Sequence, residues 1–221
     1  MASRTRIDSL VATGKGDDGS TGLLFGGDRI QKDDLRAEAF GSIDEAVACL
    51  GLARAELAAT AQVRIADPDR PADPAGSASP ASLGALILRF QRELFVAGAE
   101  LAANPTAWDR LQDGTTRVSA AMVAGIDAVL ADYEARIAFP KEFVVAGETR
   151  TSAALELART ILRRAERRAV TLDRAGLVPG PHLLAYLHRL ADLLWVLARA
   201  AEQAEAHTAT AARTRVRTRR R

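Results

Sequence analysis

The side chains best suited to chemistry cluster at Arg159, Arg163, Arg164, Glu166, Arg167 and Arg168. Arg159, Arg163 and Glu166 are spaced i, i+4, i+7, which puts them on one face if the stretch is helical. Guanidinium groups on one helix face can grip a phosphate chain through paired N–H donors. The same stretch could also be a charged outer face, and its own spacing leaves both readings open.

A second candidate lies near the N-terminus. Residues 13–28 hold six glycines in sixteen positions, too many for a stable helix. Gly16-Asp-Asp-Gly19-Ser-Thr-Gly22 is expected to expose successive backbone N–H groups that can cradle an anion, with Lys15 and Lys32 as phosphate partners. It is not a Walker A loop, because Gly16 follows Lys15 where Ser or Thr is required. A solvated loop is the competing account. The acids Asp33, Asp34, Glu38, Asp44 and Glu45 could cap a helix, orient an arginine, or hold Mg²⁺ through water.

Other chemistries are thinly supported. His182, His188 and His207 lack the Glu-x-x-His pairs of a di-iron bundle. The single cysteine, Cys49, rules out a disulfide framework within the chain and a cysteine zinc site, and is expected to be a buried structural thiol. On the last helix, Arg189 and Asp192 are expected to pair with each other. The formal charge of +2 does not call for nucleic acid, and no apolar run is long enough to span a membrane. A cytoplasmic protein is expected.

These groups need a scaffold. Ala and Leu dominate the apolar residues while aromatics make up only 5%, which favours helix. Apolar periodicity predicts five helices, over about 36–63, 81–103, 115–137, 150–173 and 181–206, hence an all-α antiparallel five-helix bundle. The expected stripes are Ile43, Val47, Leu50, Ala53 and Leu57 on the first, and Leu83, Leu86, Ile87, Phe90, Leu94, Phe95 and Leu101 on the second. Residues 1–207 are expected to form one helical domain. It is interrupted by a mobile proline-rich loop at 67–80 and followed by a disordered arginine-rich tail at 208–221. Phe139 to Gly147 reads as an extended connector.

Four segments together resemble the PduO-type ATP:cob(I)alamin adenosyltransferases, the corrinoid adenosyltransferase family of five-helix bundles. They are the glycine loop 16–27; Lys32-Asp33-Asp34-Leu-Arg36 with Ala39-Phe-Gly41-Ser-Ile-Asp44-Glu45; Ala158 to Arg168; and Leu187-His-Arg189-Leu-Ala-Asp192-Leu-Leu. They occur in the family's order and span about residues 10–203. The resemblance implies transfer of the 5′-deoxyadenosyl group of ATP to Co(I) of a corrinoid, with triphosphate released. It implies ATP, Mg²⁺ and cobalamin as ligands, a homotrimer with sites between subunits, and a reductase and a B12-dependent acceptor enzyme as partners. By the same resemblance Thr13, Gly14, Lys15, Gly16, Thr21 and Lys32 hold ATP, with Arg163, Arg164, Glu166 and Arg167 across the interface. Asp44 pairs with Arg159 of a neighbour, Phe143 stands against the corrin, and Arg168 meets only solvent.

The chain departs from the family pattern in four places. The loop basic residue is moved by one, to Lys15. The family's asparagine on the last helix, a position that contacts ATP, is His188. Glu148 adds a negative charge to the connector, and the C-terminal aromatic segment is replaced by the arginine-rich tail. Two alternatives therefore stand beside the enzyme: a diverged homologue that binds ATP or corrinoid as a delivery or regulatory module, and a helical interaction protein whose tail meets nucleic acid.

Overall fold

The computed structural model describes residues 11–65 and 80–213. Five helices form: α1 (Leu35–Ile65), α2 (Pro80–Ala102), α3 (Ala120–Glu134), α4 (Arg150–Arg174) and α5 (Leu183–Ala204). Two small antiparallel ladders accompany them, β1 (Ser20–Thr21) with β2 (Ile30–Gln31) and β3 (Val144–Val145) with β4 (Thr210–Ala211). The all-α expectation is met. The expected loop at 67–80 lies outside the described residues except for Pro80, which opens α2, where its missing N–H costs nothing.

Side-chain pairs give the helix directions. Arg150, Arg164 and Arg168 of α4 pair with Glu56, Glu45 and Glu38 of α1. Numbers rise by 18 along α4 as they fall by 18 along α1, so the two run antiparallel. Gln91 of α2 donates to the Val47 carbonyl oxygen at 2.9 Å and accepts from Arg54 at 2.9 Å, bolting α2 to α1. Gly51 leaves room for that bolt, since a Cβ there would stand 3.3 Å from Gln91 Nε2. His188 meets Glu166, and Arg199 meets Glu156, so α5 opposes α4. Arg189 meets Asp127 of α3, and Gln203 meets the Ala138 backbone just beyond it, so α3 runs parallel to α5. Successive helices thus alternate up and down. One end gathers the starts of α1, α3 and α5 with the ends of α2 and α4.

Burial follows the 3.6-residue period. On α4, Leu155, Ala158, Leu162, Ala165, Ala169 and Leu172 are fully buried, and the arginines take the rest of the circumference. The α1 stripe is as expected. Phe95 is not in the core: it is 64% exposed on the outer side of α2, while Leu94 and Ala97 beside it are buried.

Caps explain the boundaries that differ from expectation. α3 starts at 120, because Ser119 accepts from the Met122 N–H as its N-cap. Before it, the Gln112 carbonyl oxygen gathers the N–H groups of Thr115, Thr116 and Arg117, with Gly114 at φ +76°. α5 starts at Leu183 after the Pro179 to Pro181 break. α4 opens on a reciprocal cap between Thr149 and Ser152. It closes on Gly176 at φ +69°, with Leu177 N–H returning to the Leu172 carbonyl oxygen.

The C-terminal segment needs a correction. Residues 208–213 were expected to be disordered, yet Thr210–Ala211 pair with the connector, and the Ala212 N–H donates to the Phe143 carbonyl oxygen at 2.6 Å. Glu148 accepts from the Thr210 N–H at 3.2 Å, so this added charge in the connector holds the strand pair. Residues 214–221 lie outside the described residues.

Candidate active site

The glycine loop sits at the end of the bundle where α1 starts and α2 stops. Leu24 N–H donates to the Ala102 carbonyl oxygen at 2.8 Å, and Asn104 N–H donates to the Leu24 carbonyl oxygen at 3.0 Å. Asn104 Nδ2 also reaches the Gly26 carbonyl oxygen at 2.7 Å. The backbone beside it bends through Phe25, Gly26 and Gly27, all at positive φ. Gly27 is compelled by space as well, since a Cβ there would lie 1.9 Å from Asn104 Nδ2.

Inside the loop, basic side chains hold carbonyl oxygens. Lys32 Nζ donates to the Gly16 carbonyl oxygen at 2.9 Å. Arg29 donates to Ser20 Oγ at 2.7 Å, to the Lys15 carbonyl oxygen at 2.8 Å and to the Ser20 carbonyl oxygen at 2.9 Å. Asp18 accepts from both the backbone and the hydroxyl of Ser20. The result is a preshaped arch in which Thr13 and Lys15 are exposed and Gly14, Gly16 and Thr21 half-buried. Arg29 and Asn104 were not among the expected site residues. Asn104 directly before Pro105 was the available signal, since it caps the short 3-10 turn Pro105–Arg110.

The arginines of α4 divide into two rows. Arg164 and Arg168 turn to α1 and pair with Glu45 and Glu38, so Arg168, expected to meet only solvent, has a protein partner at 3.6 Å. Arg163 and Arg167, one turn apart, have no partner among the described residues and stand in the half of the bundle that carries the loop. Glu166 accepts from His188 at 2.9 Å, and His188 also faces Asp192 at 3.5 Å. The expected Arg189–Asp192 pair is therefore not made: Arg189 is taken by Asp127 on α3. Helix spacing allowed the pair, but the interhelical acid lies nearer.

Arg159 and Asp44 do not pair within the chain. Asp44 is exposed on α1 without a partner among the described residues, and Arg159 Nε donates to Glu156 at 2.6 Å. Phe143 stands 89% exposed in the connector at the opposite end of the bundle. Beside it a cavity of about 370 Å³ is lined by Phe139, Lys141, Val144, Arg199, Glu202 and His207, and by none of the loop or cluster residues. Cys49 is half-buried rather than enclosed; burial first, then Glu45, push its thiol up. Among the described residues no three His, Cys, Asp or Glu side chains come together to hold a metal ion, and no helix is long and apolar enough to cross a membrane.

One more titratable group lies at this end of the bundle. Glu100, 1% exposed near the end of α2, accepts from the Val118 N–H at 2.7 Å. Burial pushes its carboxyl up to about 7, against the opposing pull of the Val118 and Gly180 N–H groups and Arg117. Its Oε1 lies against Gly180 but has no well-formed hydrogen bond among the described residues.

Arranged this way, the chain offers a hydrogen-bonded glycine arch at one end, two arginines on α4 without a partner among the described residues, and an exposed aromatic at the other end. The family model of the cobalamin adenosyltransferases matches residues 11–201. The cobalamin adenosyltransferase of Cupriavidus metallidurans is 36% identical over 197 residues, covering 89% of this chain and 90% of that one. The corrinoid adenosyltransferase of Citrobacter freundii is 33% identical over 192 residues, covering 87% and 94%. Among solved structures, a variant of the Lactobacillus reuteri PduO-type ATP:corrinoid adenosyltransferase complexed with cobalamin and ATP has the same fold. Its TM-score is 0.74 at 24% identity, over 92% of this chain and 97% of that one.

Proposed function

The chain belongs to the cobalamin adenosyltransferase family, and on that premise we propose that it transfers the 5′-deoxyadenosyl group of ATP to the Co(I) centre of a corrinoid. Cobalt supplies the electron pair that forms the Co–C5′ bond. The C5′–O5′ bond breaks, triphosphate leaves with its electrons, and the product is an alkyl-Co(III) corrinoid. The reaction brings its own nucleophile, so the protein's work is placement and charge stabilisation.

The observation that carries this reading is that Arg163 and Arg167 have no partner among the described residues, while the glycine loop at the same end of the bundle is already shaped by Lys32 and Arg29. Two guanidinium groups whose nearest acid on the helix, Glu166, is engaged by His188 suit a leaving triphosphate. Thr13, Gly14, Lys15, Gly16, Thr21 and Lys32 are assigned to ATP, with Arg163, Arg164, Glu166 and Arg167 completing the site from a neighbouring subunit. Asp44, exposed and without a partner among the described residues, is assigned to Arg159 of that neighbour in a homotrimer. Phe143 is assigned to the corrin, where a hydrophobic wall without a donor favours displacement of the lower axial ligand. Mg²⁺ is placed on the phosphate oxygens of ATP, where magnesium ordinarily binds through few protein ligands. A cytoplasmic setting, a cobalt reductase and a B12-dependent acceptor enzyme are part of the same proposal.

The test is spectral. Reduced cobalamin with ATP and Mg²⁺ should yield the adenosylcobalamin spectrum and stoichiometric triphosphate; no change at millimolar ATP would remove the assignment. One observation favours a second reading, a homologue that binds ATP or corrinoid without transfer. His188 stands where the family has asparagine and is engaged by Glu166. Recovery of transfer in an otherwise inactive protein by His188→Asn would support it.

A further inference from the structure

Between α4 and α5 runs a line of four charged side chains. Arg199 is 1% exposed. Its Nε and Nη2 donate to the two oxygens of Glu202 at 2.7 and 2.6 Å, and its Nη1 donates to Glu156 Oε1 at 3.1 Å. The other oxygen of Glu156 accepts from Arg159 Nε at 2.6 Å. Glu202, Arg199 and Glu156 are buried, whereas Arg159 is half-exposed.

We propose that Glu156 and Arg199 are positioning residues that set the guanidinium of Arg159 for the transfer reaction. The inference rests on the reading of Arg159 as part of the intersubunit site. Charge counting supports it. Arg199 and Glu202 already make a neutral, two-bonded pair, complete as an internal bolt. Glu156 adds a buried negative charge, which needs a further cation, and Arg159 is that cation. If Arg159 swung away, a buried carboxylate oxygen would lose its partner, so the side chain is held to one rotamer. Only its Nε–H is used. Both Nη groups have no acceptor among the described residues, so the guanidinium is fixed along one edge and offers the other. Arg199 is itself held in place, lying over the Trp195 ring at 5.4 Å, and Trp195 stacks on Phe139 of the connector. The line therefore joins the connector end of the bundle to Arg159.

The test uses the full-length protein with cob(I)alamin and ATP, and compares Glu156→Gln, Arg159→Ala and the double variant. Glutamine keeps the volume but offers one acceptor oxygen where two cations need one each. Turnover in Glu156→Gln is expected to fall about 10-fold with the KM for ATP little changed, and the double variant to be no slower than Arg159→Ala. An equal fall caused by Glu156→Gln in both backgrounds would overturn the proposal, because it would mark a structural effect that bypasses Arg159. If Glu156→Gln does not fold, the same cycle is run at position 199. Arg199→Lys is then expected to recover part of the turnover lost in Arg199→Met, and equal loss in the two would count against the proposal. A second readout needs no turnover. The Arg159 Nε–H resonance should be protected from exchange in the wild type and averaged in Glu156→Gln or Arg199→Met; an unchanged resonance would overturn the proposal. Absence of transfer in the wild type would sink the proposed function alone, with the resonance still deciding the positioning.

Discussion

Lys32 Nζ donates to the Gly16 carbonyl oxygen at 2.9 Å, so the cation proposed to meet phosphate also closes the arch that receives it. Lys32→Ala is expected to weaken ATP binding about 10- to 100-fold, the worth of one charge-assisted contact and the loop order it maintains. Lys32 is exposed, so the unfolding midpoint should barely move. Titration calorimetry and a thermal melt on one sample separate the effects; unchanged ATP affinity would contradict the assignment.

Gly27→Ala should detach the loop. The position has φ +87°, and its new methyl would meet Asn104 Nδ2. A loss of about 2–3 kcal/mol is expected in urea unfolding, with weakened ATP binding. Gly26 also has positive φ, but a Cβ there meets nothing, so Gly26→Ala should cost less. Equal losses at the two positions would show that contact with Asn104 is irrelevant.

Arg163 and Arg164 are neighbours with different commitments. Arg163→Ala should lower turnover by about 10²–10³, the usual cost of removing a donor aimed at developing charge, with stability preserved. Arg164 is paired with Glu45 in an exposed setting, worth at most about 1 kcal/mol. Arg164→Ala should therefore lower turnover less than Arg163→Ala. Steady-state kinetics on the pair decides this, and the reverse order would refute the division of α4 into two rows.

Glu100 gives the fold a pH dependence of known sign. Its carboxyl lies near 4.5 when unfolded and about 7 in the fold. Protonation is favoured by folding, so the contribution is complete below pH 4.5 and is lost as pH rises through 7. The 2.5-unit difference corresponds to about 3 kcal/mol. Urea unfolding at pH 5 and pH 8.5 should show the wild type losing about that much more than Glu100→Gln. Parallel profiles would mean that Glu100 is ionised in the fold without penalty.

The extent to which the sequence was readable varied with the range of the interaction. Helices α1, α2 and α4 follow from the apolar period, because a buried stripe is a local property of one helix. The loop and the arginine row were marked by the resemblance of four segments to a known family, since their own spacing left a solvated surface equally open. The α3 start was misplaced because Gly114 and Ser119, not hydrophobicity, set it. Arg189 was assigned to Asp192 because spacing sees only its own helix, whereas Asp127 arrives from another. The Glu156–Arg199 contact and the Thr210–Ala211 pairing were likewise invisible, since each joins residues more than 40 positions apart.

Single-turnover transfer from ATP to chemically reduced cob(I)alamin tests the central claim most directly, read by absorbance and by triphosphate release in the wild type and Arg163→Ala. The account predicts one adenosylcobalamin and one triphosphate per site in the wild type, and a rate lower by about 10²–10³ in Arg163→Ala with ATP still bound. ATP binding without any cobalt–carbon bond in the wild type, or equal rates in the two proteins, would contradict it.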